Sequence, residues 1–486
     1  MNHQPHFDLA AAARRSMIQH GFEPEFPPPV AQQLQQLLAH PPQPNASARD
    51  LRGLLWSSID NDTSRDLDQI EYVEGVPGGG YRVLIGIADV DASVPKGSPI
   101  DLHALRETTT VYTGVEIFPM LPEQLSTGAT SLLEGVEHAA LVVEFTVDAQ
   151  AQLSNTNFSL ARVINKAQLA YPSVGAWLAG TGEAPAKVAA SKDLQQQLKM
   201  QSEIAQRLRS ARSSHGALNL ETIETYPVQT GDGVLDIRAE VKNLATQLIE
   251  DFMIAANGVV ARAFEAKGRS SIRRVVKTPK RWDRIVELAR QMGTQLPAEP
   301  DPKPLHDFLC QQQAKDPDHF PDLSLGVIKL LGPGEYVLEK PGEPAPGHFG
   351  LAVQDYTHST APNRRYADLV SQRLLKAMIA GQKPPYGDDE LANVAAQCTR
   401  MEDAERKVSR EMEKRIAAVA MSGRVGQAFD AIVTGVNDHG SFVRTLNPPV
   451  DGMLVRGHQG VDVGDRIRVT LVRTDPVQGF IDFARA

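Results

Sequence analysis

Apolar residues follow three successive patterns along the chain. Near the N-terminus they recur at helical spacing over Leu9–His20 and Val30–Leu38, with a Pro-rich segment between the two. From residue 54 onwards, β-branched residues dominate runs such as Tyr81–Asp89 and Ala139–Val147, which predicts buried strands. After Ala167 the helical spacing returns. The helices predicted there cover 188–211, 243–266, 280–293, 364–380 and 389–423.

The C-terminal region returns to strands. Glycine, proline, asparagine and aspartate separate the β-rich segments. Five strands in about 60 residues is the size of an OB fold, a small barrel that often binds single-stranded nucleic acid. Another small barrel without a ligand is the alternative. The candidate stacking aromatics are Phe429, His439, Phe442 and Phe480, although some of them must fill the barrel core. The predicted strands are Phe429–Val436, Gly440–Thr445, Gly452–Val455, Asp465–Arg473 and Gly479–Ala484.

Together these patterns predict an α+β protein in three parts. Residues 1–49 form a short helical segment, 50–424 a large mixed domain and 425–486 the five-stranded barrel. The N-terminal helices are open to two interpretations. They could form a helix-turn-helix that touches nucleic acid, or a small packing appendage, since the only basic pair among them is Arg14-Arg15.

Composition narrows the class of protein. The 486 residues are 42% hydrophobic and 22% charged, close to the globular average. Two cysteines rule out a disulfide framework and a thiolate zinc site. The sequence contains no run of 18 consecutive apolar residues, so it predicts no membrane-spanning helix. The short apolar run Leu9–Ala13 after Asp8 does not resemble a signal peptide. We therefore expect a soluble, cytoplasmic protein. Its net charge of -9, taken alone, argues against binding a polyanion.

An acidic cluster carries the first chemical signal. Asp60, Asp62, Asp66, Asp68 and Glu71 fall within a dozen residues. Like charges this close repel one another unless a cation neutralises them, and Mg²⁺ prefers oxygen ligands. A solvated loop is equally consistent with the charge pattern. A calcium-binding loop is excluded, because glycine and glutamate are missing at its required positions.

A second segment, residues 355–369, pairs a proline turn with two arginines. Pro362 suits the turn before a helix, and Arg364 and Arg365 follow in its first residues, where the helix dipole disfavours them. A guanidinium near a phosphate would stabilise charge that develops on its oxygens. The alternative is a salt bridge to Asp368 or to the acidic cluster. His358 alone is more often a structural histidine than a base or a ligand.

These two segments together resemble the ribonuclease II family, whose catalytic domain is called RNB. Further blocks occur in the family's order at 161–171, 215–220, 248–257 and 348–351, and the resemblance extends over about residues 50 to 423. The barrel resembles the OB-type RNA-binding domain that follows RNB. The usual N-terminal pair of cold-shock barrels is missing from this sequence, and the short helical segment stands in its place.

The resemblance implies roles at single positions. Asp60, Asp66 and Asp68 match carboxylates that hold Mg²⁺, for which Mn²⁺ could substitute, and that position the attacking water. Gln69 is a departure, because the family usually has a fourth aspartate there; Asp62 or Glu71 could supply the missing charge. The catalytic set that the resemblance implies is Asp68, Arg364 and Asp66, with Arg364 on the scissile phosphate. The metal set is Asp60, Asp66, Asp68 and, less securely, Gln69.

RNA contacts follow from the same resemblance and from local charge. Tyr112 matches a tyrosine that packs near the 3′-terminal nucleotide, and Glu405 resembles a glutamate near the same end. Although the net charge is negative, residues 267–281 carry seven lysines or arginines and no acid. We expect some of these cations to line a channel for the phosphate backbone. The predicted RNA-binding residues are Tyr112, Glu405, Arg365, Arg273, Arg274, Lys277 and Phe442.

The implied activity is a processive, Mg²⁺-dependent hydrolysis of single-stranded RNA from the 3′ end to nucleoside 5′-monophosphates. No obligate protein partner is evident, and a monomer is expected. Two rival functions stay open. One is an RNA-binding protein that keeps the fold without useful catalysis, because Gln69 weakens the metal site. The other is an endonuclease or a DNA nuclease with a similar acidic site.

Overall fold

The computed structural model describes residues 7–42, 47–229, 235–239, 242–343, 346–437 and 440–486, so His439 lies outside the described residues. The N-terminal and sheet-forming part begins with two helices and continues mainly as strands, which one further helix interrupts. Its helices are α1 Leu9–Gln19, α2 Pro28–Ala39 and α3 Pro99–Glu107. Its strands are β1 Arg49–Asp50, β2 Ser57–Asp60, β3 Gln69–Val76, β4 Gly80–Ala88, β5 Val111–Tyr112, β6 Ile117–Phe118, β7 Glu137–Val147, β8 Leu153–Ile164 and β9 Ala167–Ala170.

Seven of these strands form one mixed sheet in the order β1-β8-β7-β4-β3-β2-β9. The central pairs are antiparallel, whereas β1 with β8 and β2 with β9 are parallel. The hairpin between β3 and β4 turns at Gly78 and Gly79, where φ is +96° and +87°. Glycine adopts such angles without a steric penalty. The two glycines therefore suit the tight turn that joins these strands.

Helices cover the sheet and build a second layer. The prediction for 243–266 is met within one residue, and 280–293, 364–380 and 389–423 each match one helix within two residues. The predicted helix 188–211 is a short helix followed by a long one. The helices are α4 Tyr171–Leu178, α5 Ala186–Ala189, α6 Lys192–Ser214, α7 Leu244–Ala266, α8 Trp282–Gln291, α9 Pro302–Lys315, α10 Phe320–Leu331, α11 Tyr366–Ile379 and α12 Asp388–Met421.

Helix α7 forms the centre of the helical layer. It is the one described helix that is long and apolar enough to cross a membrane. However, 72% of its most apolar 18-residue window is buried inside the protein. Asn243 caps its N-terminus by accepting hydrogen bonds from the backbone of Ala245 and Thr246. Phe252, Val260 and Phe264 pack in the main core with the sheet. This burial is what a core helix requires.

Helices α8 to α10 form a separate cluster with its own apolar core. The apolar pattern does not predict α9 and α10, and residues 297–304 look like a Pro-rich loop. Helix α9 in fact begins at Pro302, where Asp301 caps it by accepting a hydrogen bond from the Lys303 backbone N–H. Proline suits a first helical position, because its missing N–H has no partner there anyway.

The C-terminal strands close into a barrel, which confirms the predicted five-stranded OB-type fold. Their order around the barrel is β14-β15-β16-β18-β17. The core includes Phe429, Val443, Val469 and Phe483. The remaining strands of the protein are the hairpin β10 Thr225–Gln229 and β11 Leu235–Ala239, the pair β12 Ser271–Val275 and β13 Glu335–Glu339, and the barrel strands β14 Ala428–Asn437, β15 Gly440–Thr445, β16 Asp451–Arg456, β17 Arg466–Asp475 and β18 Phe480–Arg485.

The N-terminal helices pack onto the large domain, as the appendage interpretation predicts. Ala12, Ala13 and Met17 of α1 are buried in an apolar cluster that they share with α12. Phe26, between the two helices, packs against His103 of α3 with the ring centroids 4.6 Å apart and the planes tilted by 52°. The proposed contact with nucleic acid stays a prediction, since no nucleic acid is present.

Helix α11 is anchored to α3 and to the turn after β4 by a buried charge network. Arg373 is 4% exposed; its guanidinium lies 2.8 Å from Asp101 and 2.9 Å from Asp91, and it donates to the Tyr386 hydroxyl at 2.6 Å. Tyr366, the first residue of α11, donates to Asp101 at 3.0 Å. Because buried charges are tolerated only when paired, this network fixes where α11 begins.

Replacing Arg373 by methionine should destabilise the protein by about 3–5 kcal/mol, because Asp101 is left buried without its partner. Urea denaturation followed by circular dichroism measures the free energy of unfolding. The matched control is Arg290→Met, which removes an exposed ion pair with Glu287 and should leave stability unchanged. Equal stability of the two variants would contradict a structural role for the network.

Candidate active site

The acidic cluster lies at one edge of the sheet, where β2 and β3 separate. The two strands pair at Ser57 and Glu71 and then diverge, so the residues between them form a loop. Asp60 ends β2, and Asp68 immediately precedes β3. The Asp68 carbonyl accepts a hydrogen bond from the Ala88 backbone N–H at 2.9 Å, so the sheet fixes the backbone of Asp68.

A serine holds the part of this loop that precedes Asp68 in place. The Ser131 hydroxyl donates to the Arg65 carbonyl at 2.6 Å and accepts from the Leu67 N–H at 2.9 Å. The Leu132 N–H donates to the Leu67 carbonyl at 3.0 Å. These bonds take the place of the strand-to-strand hydrogen bonds that the loop does not make. They hold residues 65–68 against the segment after Ala129.

The arginine segment meets the acidic loop at Asp68. The Asn363 backbone N–H donates to Asp68 Oδ1 at 2.9 Å, and Arg364 Nε lies 3.5 Å from Asp68 Oδ2. Among the described residues Oδ2 has no hydrogen-bond partner, so its contact with Arg364 is an ion pair only. Asn363 is itself held by the Thr130 hydroxyl, which donates to its side-chain oxygen at 2.6 Å. Two segments 295 residues apart thus share one carboxylate.

Asp368 explains why Arg364 is presented in this position. Its carboxylate accepts hydrogen bonds from the backbone N–H groups of Thr360 and Ala361 at 2.8 and 2.9 Å. It also accepts two bonds at 2.7 Å from the Arg365 guanidinium. The sequence left both a phosphate contact and a salt bridge open for the two arginines. Arg365 pairs with Asp368, whereas Arg364 pairs with the acidic loop and keeps 43% of its side chain exposed.

Tyr112 lies on the opposite side of the acidic loop. Its hydroxyl donates to Asp66 Oδ2 at 2.9 Å, and 45% of the residue is exposed. Burial of the hydroxyl, followed by the nearby charge of Asp66, raises the pKa of Tyr112. Its hairpin is joined to the arginine segment, because the Thr110 N–H donates to the Arg364 carbonyl at 3.0 Å. These contacts bring the side chains of Asp66, Asp68, Tyr112 and Arg364 close together.

Burial dominates the electrostatics of the carboxylates. Asp68 is 2% exposed, and desolvation raises its pKa to about 7 despite the attraction of Arg364. Burial also raises the pKa of Asp60, although the Asn61 N–H and the Ser64 hydroxyl donate to it at 2.7 and 2.9 Å. An added cation would favour the ionised forms of both groups.

These residues fit a hard divalent cation in donor type and charge. Oxygen donors are what Mg²⁺ prefers, and the unbonded Oδ2 of Asp68 is an available ligand atom. Within the described part of the chain, no three His, Cys, Asp or Glu side chains are arranged to hold an ion by themselves. Mg²⁺ usually takes one or two carboxylates and completes its shell with water and substrate phosphate, so the arrangement is compatible with it.

The residues that could compensate for Gln69 differ in position. Gln69 is 8% exposed at the start of β3. Asp62 is exposed on the loop. Glu71 is completely buried, neither of its oxygens has a hydrogen-bond partner among the described residues, and burial raises its pKa well above the usual value. Burial thus disfavours the charged form of Glu71, which makes it a poor replacement for the missing carboxylate.

The predicted RNA contacts on and just after strand β12 are corrected by the structure. Arg273 is 1% exposed and forms a buried ion pair with Glu339 at 2.9 Å, so its guanidinium is not available to RNA. Arg274 points to the other face of the strand and makes two bonds, at 2.6 and 2.7 Å, with Glu402. Lys277 is 55% exposed but pairs with Glu335 at 2.6 Å. Alternation along a strand buries one of any two adjacent arginines, and the sequence does not show which.

Three further candidates lie in different environments. Glu405 is partly buried on α12 and accepts a hydrogen bond from the Ser409 hydroxyl at 2.8 Å. Phe442 is partly exposed on β15 of the barrel. His358 has its Nδ1 2.9 Å from the Tyr336 hydroxyl, and burial lowers its pKa well below the usual value. A neutral, bonded His358 fits the structural interpretation.

Three residues of the site were not predicted. Thr130, Ser131 and Asn363 hold the catalytic candidates in place through backbone and side-chain hydrogen bonds. Asn363 does lie in the segment that was singled out, and Asp368 in the same segment was named there as a salt-bridge partner. For Thr130 and Ser131 the sequence carries no signal, because their partners are remote in the chain.

Comparison with known proteins adds independent findings. The family described as "RNB domain" matches residues 48–381, and the one described as "RNase II-type exonuclease C-terminal S1 domain" matches residues 427–486. Ribonuclease R 1 of Lactococcus lactis is 28% identical over 94% of this chain and 59% of its own length. Ribonuclease R of Vibrio cholerae is 30% identical over 93% and 56%. The chain thus spans somewhat more than half the length of these relatives.

Solved structures show the same fold. The apo form of RNase R from Mycoplasma genitalium matches with a TM-score of 0.85 and 23% identity, covering 99% of this chain and 78% of that one. The same bacterial protein has also been solved with ribose-methylated single-stranded RNA and with double-stranded RNA.

Replacing Asp68 by asparagine should stabilise the metal-free protein increasingly as the pH rises. The pKa of Asp68 is raised from 3.8 to about 7, so the wild type loses stability between about pH 4 and pH 7, at about 1.4 kcal/mol per pH unit. Asparagine has no such loss. Urea denaturation in EDTA at several pH values tests this. The control is Asp62→Asn on the exposed side of the loop, and identical pH dependence of both variants would contradict the burial argument.

Proposed function

The chain belongs to the RNB family, and from this premise we propose that it is a Mg²⁺-dependent exoribonuclease. It would degrade single-stranded RNA processively from the 3′ end and release nucleoside 5′-monophosphates, in RNA turnover. The observation that carries the proposal is the shared carboxylate of Asp68, which contacts the Asn363 N–H on one oxygen and Arg364 on the other. The relatives' names, ribonuclease R, support the same reaction.

Hydrolysis of a phosphodiester needs an activated water and a stabilised phosphate. Asp60, Asp66 and Asp68 would hold Mg²⁺, which when bound supplies Lewis-acid activation of the water and neutralises charge on the phosphate. Arg364 keeps much of its guanidinium exposed beside Asp68, so it can donate to the equatorial oxygens of the same phosphate.

The 3′-terminal nucleotide would lie between these groups and Tyr112. The Tyr112 hydroxyl is fixed by Asp66, which leaves the half-exposed ring free to pack against the nucleotide. Contacts to the 2′-hydroxyl would favour RNA over DNA. All of these side chains come from one chain, so the proposed active form is a monomer, and the proposed location is the cytoplasm.

A second candidate function follows from Gln69. The amide replaces a carboxylate that the family usually has, and so removes one negative charge from the candidate metal site. A weakened metal site would leave an RNA-binding protein with little or no catalysis. The two functions differ in whether RNA is shortened, so one assay separates them.

The assay uses single-stranded RNA labelled at either end. With Mg²⁺, the 3′ label should be released at once as a mononucleotide. The 5′-labelled strand should be converted to a short end product with few intermediates, as processive degradation requires, and EDTA should stop both reactions. Asp68→Asn should abolish turnover and leave RNA affinity largely intact, since the carboxylate acts in chemistry. Binding without cleavage by the wild type would support the second candidate. Internal fragments or equal cleavage of DNA would point to an endonuclease or a DNA nuclease.

Replacing Gln69 by aspartate tests the metal site from the other direction. An added carboxylate beside Asp68 should lower the Mg²⁺ concentration for half-maximal activity several-fold, because it adds a charged oxygen ligand. Gln69→Asn, which changes length but not charge, is the control. An unchanged Mg²⁺ titration for the aspartate variant would place position 69 outside the metal site.

A further inference from the structure

The hairpin that carries Tyr112 is too small to hold its own position. Its strands β5 and β6 have two residues each, joined by a turn that contains Gly114 at φ +79°. The Thr113 and Glu116 backbones bond to each other across the turn at 3.1 Å. An isolated two-stranded hairpin is marginal at best in water. The orientation of Tyr112 therefore depends on what the hairpin rests against.

Helix α1 supplies one side of that support. Val111 and Phe118, one from each strand, are buried in a single apolar cluster with residues of α1 and α12. Met17 of α1 is 1% exposed within it. The buried members of this cluster are Ala12, Ala13, Met17, Phe22, Val111, Phe118, Met401, Ala404, Val408, Met412 and Ile416.

Polar contacts join the same three elements. Arg14 of α1 forms an ion pair with Glu116 in the hairpin turn, and its guanidinium lies 5.8 Å from the centre of the Phe118 ring. On the other side of α1, Ser16 donates to Glu411 of α12 at 2.7 Å, and His20 Nε2 lies 3.0 Å from the same carboxylate. Helix α1 is thus held to α12 by polar contacts, and it packs against one side of the hairpin.

We propose that α1 is a positioning element for Tyr112, with Met17 and Arg14 as its positioning residues. This inference rests on the proposed function, in which Tyr112 packs against the 3′-terminal nucleotide. Helix α1 lies outside the span of the RNB match, which begins at residue 48. The N-terminal segment therefore serves the active site of the large domain through the tyrosine hairpin rather than through a contact of its own with RNA.

The kinetic consequence is specific. RNA affinity arises from many backbone contacts along the strand, whereas the placement of the last nucleotide decides how well the scissile phosphate meets Asp68 and Arg364. Loosening the hairpin should therefore lower kcat and change KM little. A contribution of α1 to RNA binding would instead raise KM.

The decisive comparison is Met17→Asp against Ile18→Asp. The two residues are adjacent on α1, but Ile18 is 62% exposed, so only the first substitution places a charge in the shared cluster. Met17→Asp should lower kcat on single-stranded RNA about tenfold, and Ile18→Asp should leave it unchanged. In a Tyr112→Ala background, Met17→Asp should have no additional effect, because both changes act through the same side chain.

Arg14→Ala provides a milder second test in case Met17→Asp unfolds the protein. It should lower kcat a few-fold, Arg14→Lys should restore most of the loss, and Arg15→Ala, one position along, is the control. Backbone hydrogen exchange of residues 108–120, which contain the Tyr112 hairpin, should become faster in Met17→Asp and Arg14→Ala. It should stay unchanged in the controls Ile18→Asp and Arg15→Ala.

The outcomes separate the inference from the proposed function. A wild type that degrades RNA, together with unchanged kcat in Met17→Asp and Arg14→Ala, would overturn the positioning role and leave the function intact. Independent, multiplying effects of Met17→Asp and Tyr112→Ala would also overturn it. A wild type that does not degrade RNA would refute the function, while unchanged hairpin exchange would refute the support by α1.

Discussion

The burial of one carboxylate, Asp68, between the acidic loop and the arginine segment is the constraint on which the site depends. Its Oδ1 accepts a hydrogen bond from the Asn363 N–H, and its Oδ2 forms an ion pair with Arg364. Neither partner is a neighbour in sequence, so the contact forms only when α11 begins at the right place. Asp368 fixes the backbone before the helix, and the Arg373 network fixes the helix against α3 and the turn after β4. The charge network in the interior is therefore part of how the site is built.

The same burial has an energetic cost. A carboxylate that is removed from water favours its neutral form, which is why the pKa of Asp68 reaches about 7 even beside a guanidinium. Asp60 is shifted in the same direction for the same reason. A site arranged in this way is less stable without a cation than a neutral equivalent would be, and its carboxylates are poised to accept one. This trade between stability and binding is common where a protein holds charge for chemistry.

Much of the architecture could be predicted from the sequence. The strands of the barrel and helices α7, α11 and α12 match their predicted ranges closely, because long periodic segments carry a strong local signal. The acidic and arginine segments were also identified as partners. The prediction was wrong for Arg273, whose ion pair with Glu339 forms across two strands that lie 60 residues apart. Helices α9 and α10 were missed, because prolines at their first turns look like a loop.

What the sequence determined by itself was the inventory: which segments are periodic enough to become helices and strands, and which residues carry oxygen ligands and guanidinium groups. Local periodicity and residue chemistry are properties of short stretches of chain, so they can be read without coordinates. Only the tertiary structure decided which side chains face the site, that Ser131 and Asn363 hold the acidic loop, and that α1 lies against the hairpin of Tyr112. These contacts join residues tens to hundreds of positions apart, and their geometry depends on how every intervening element packs.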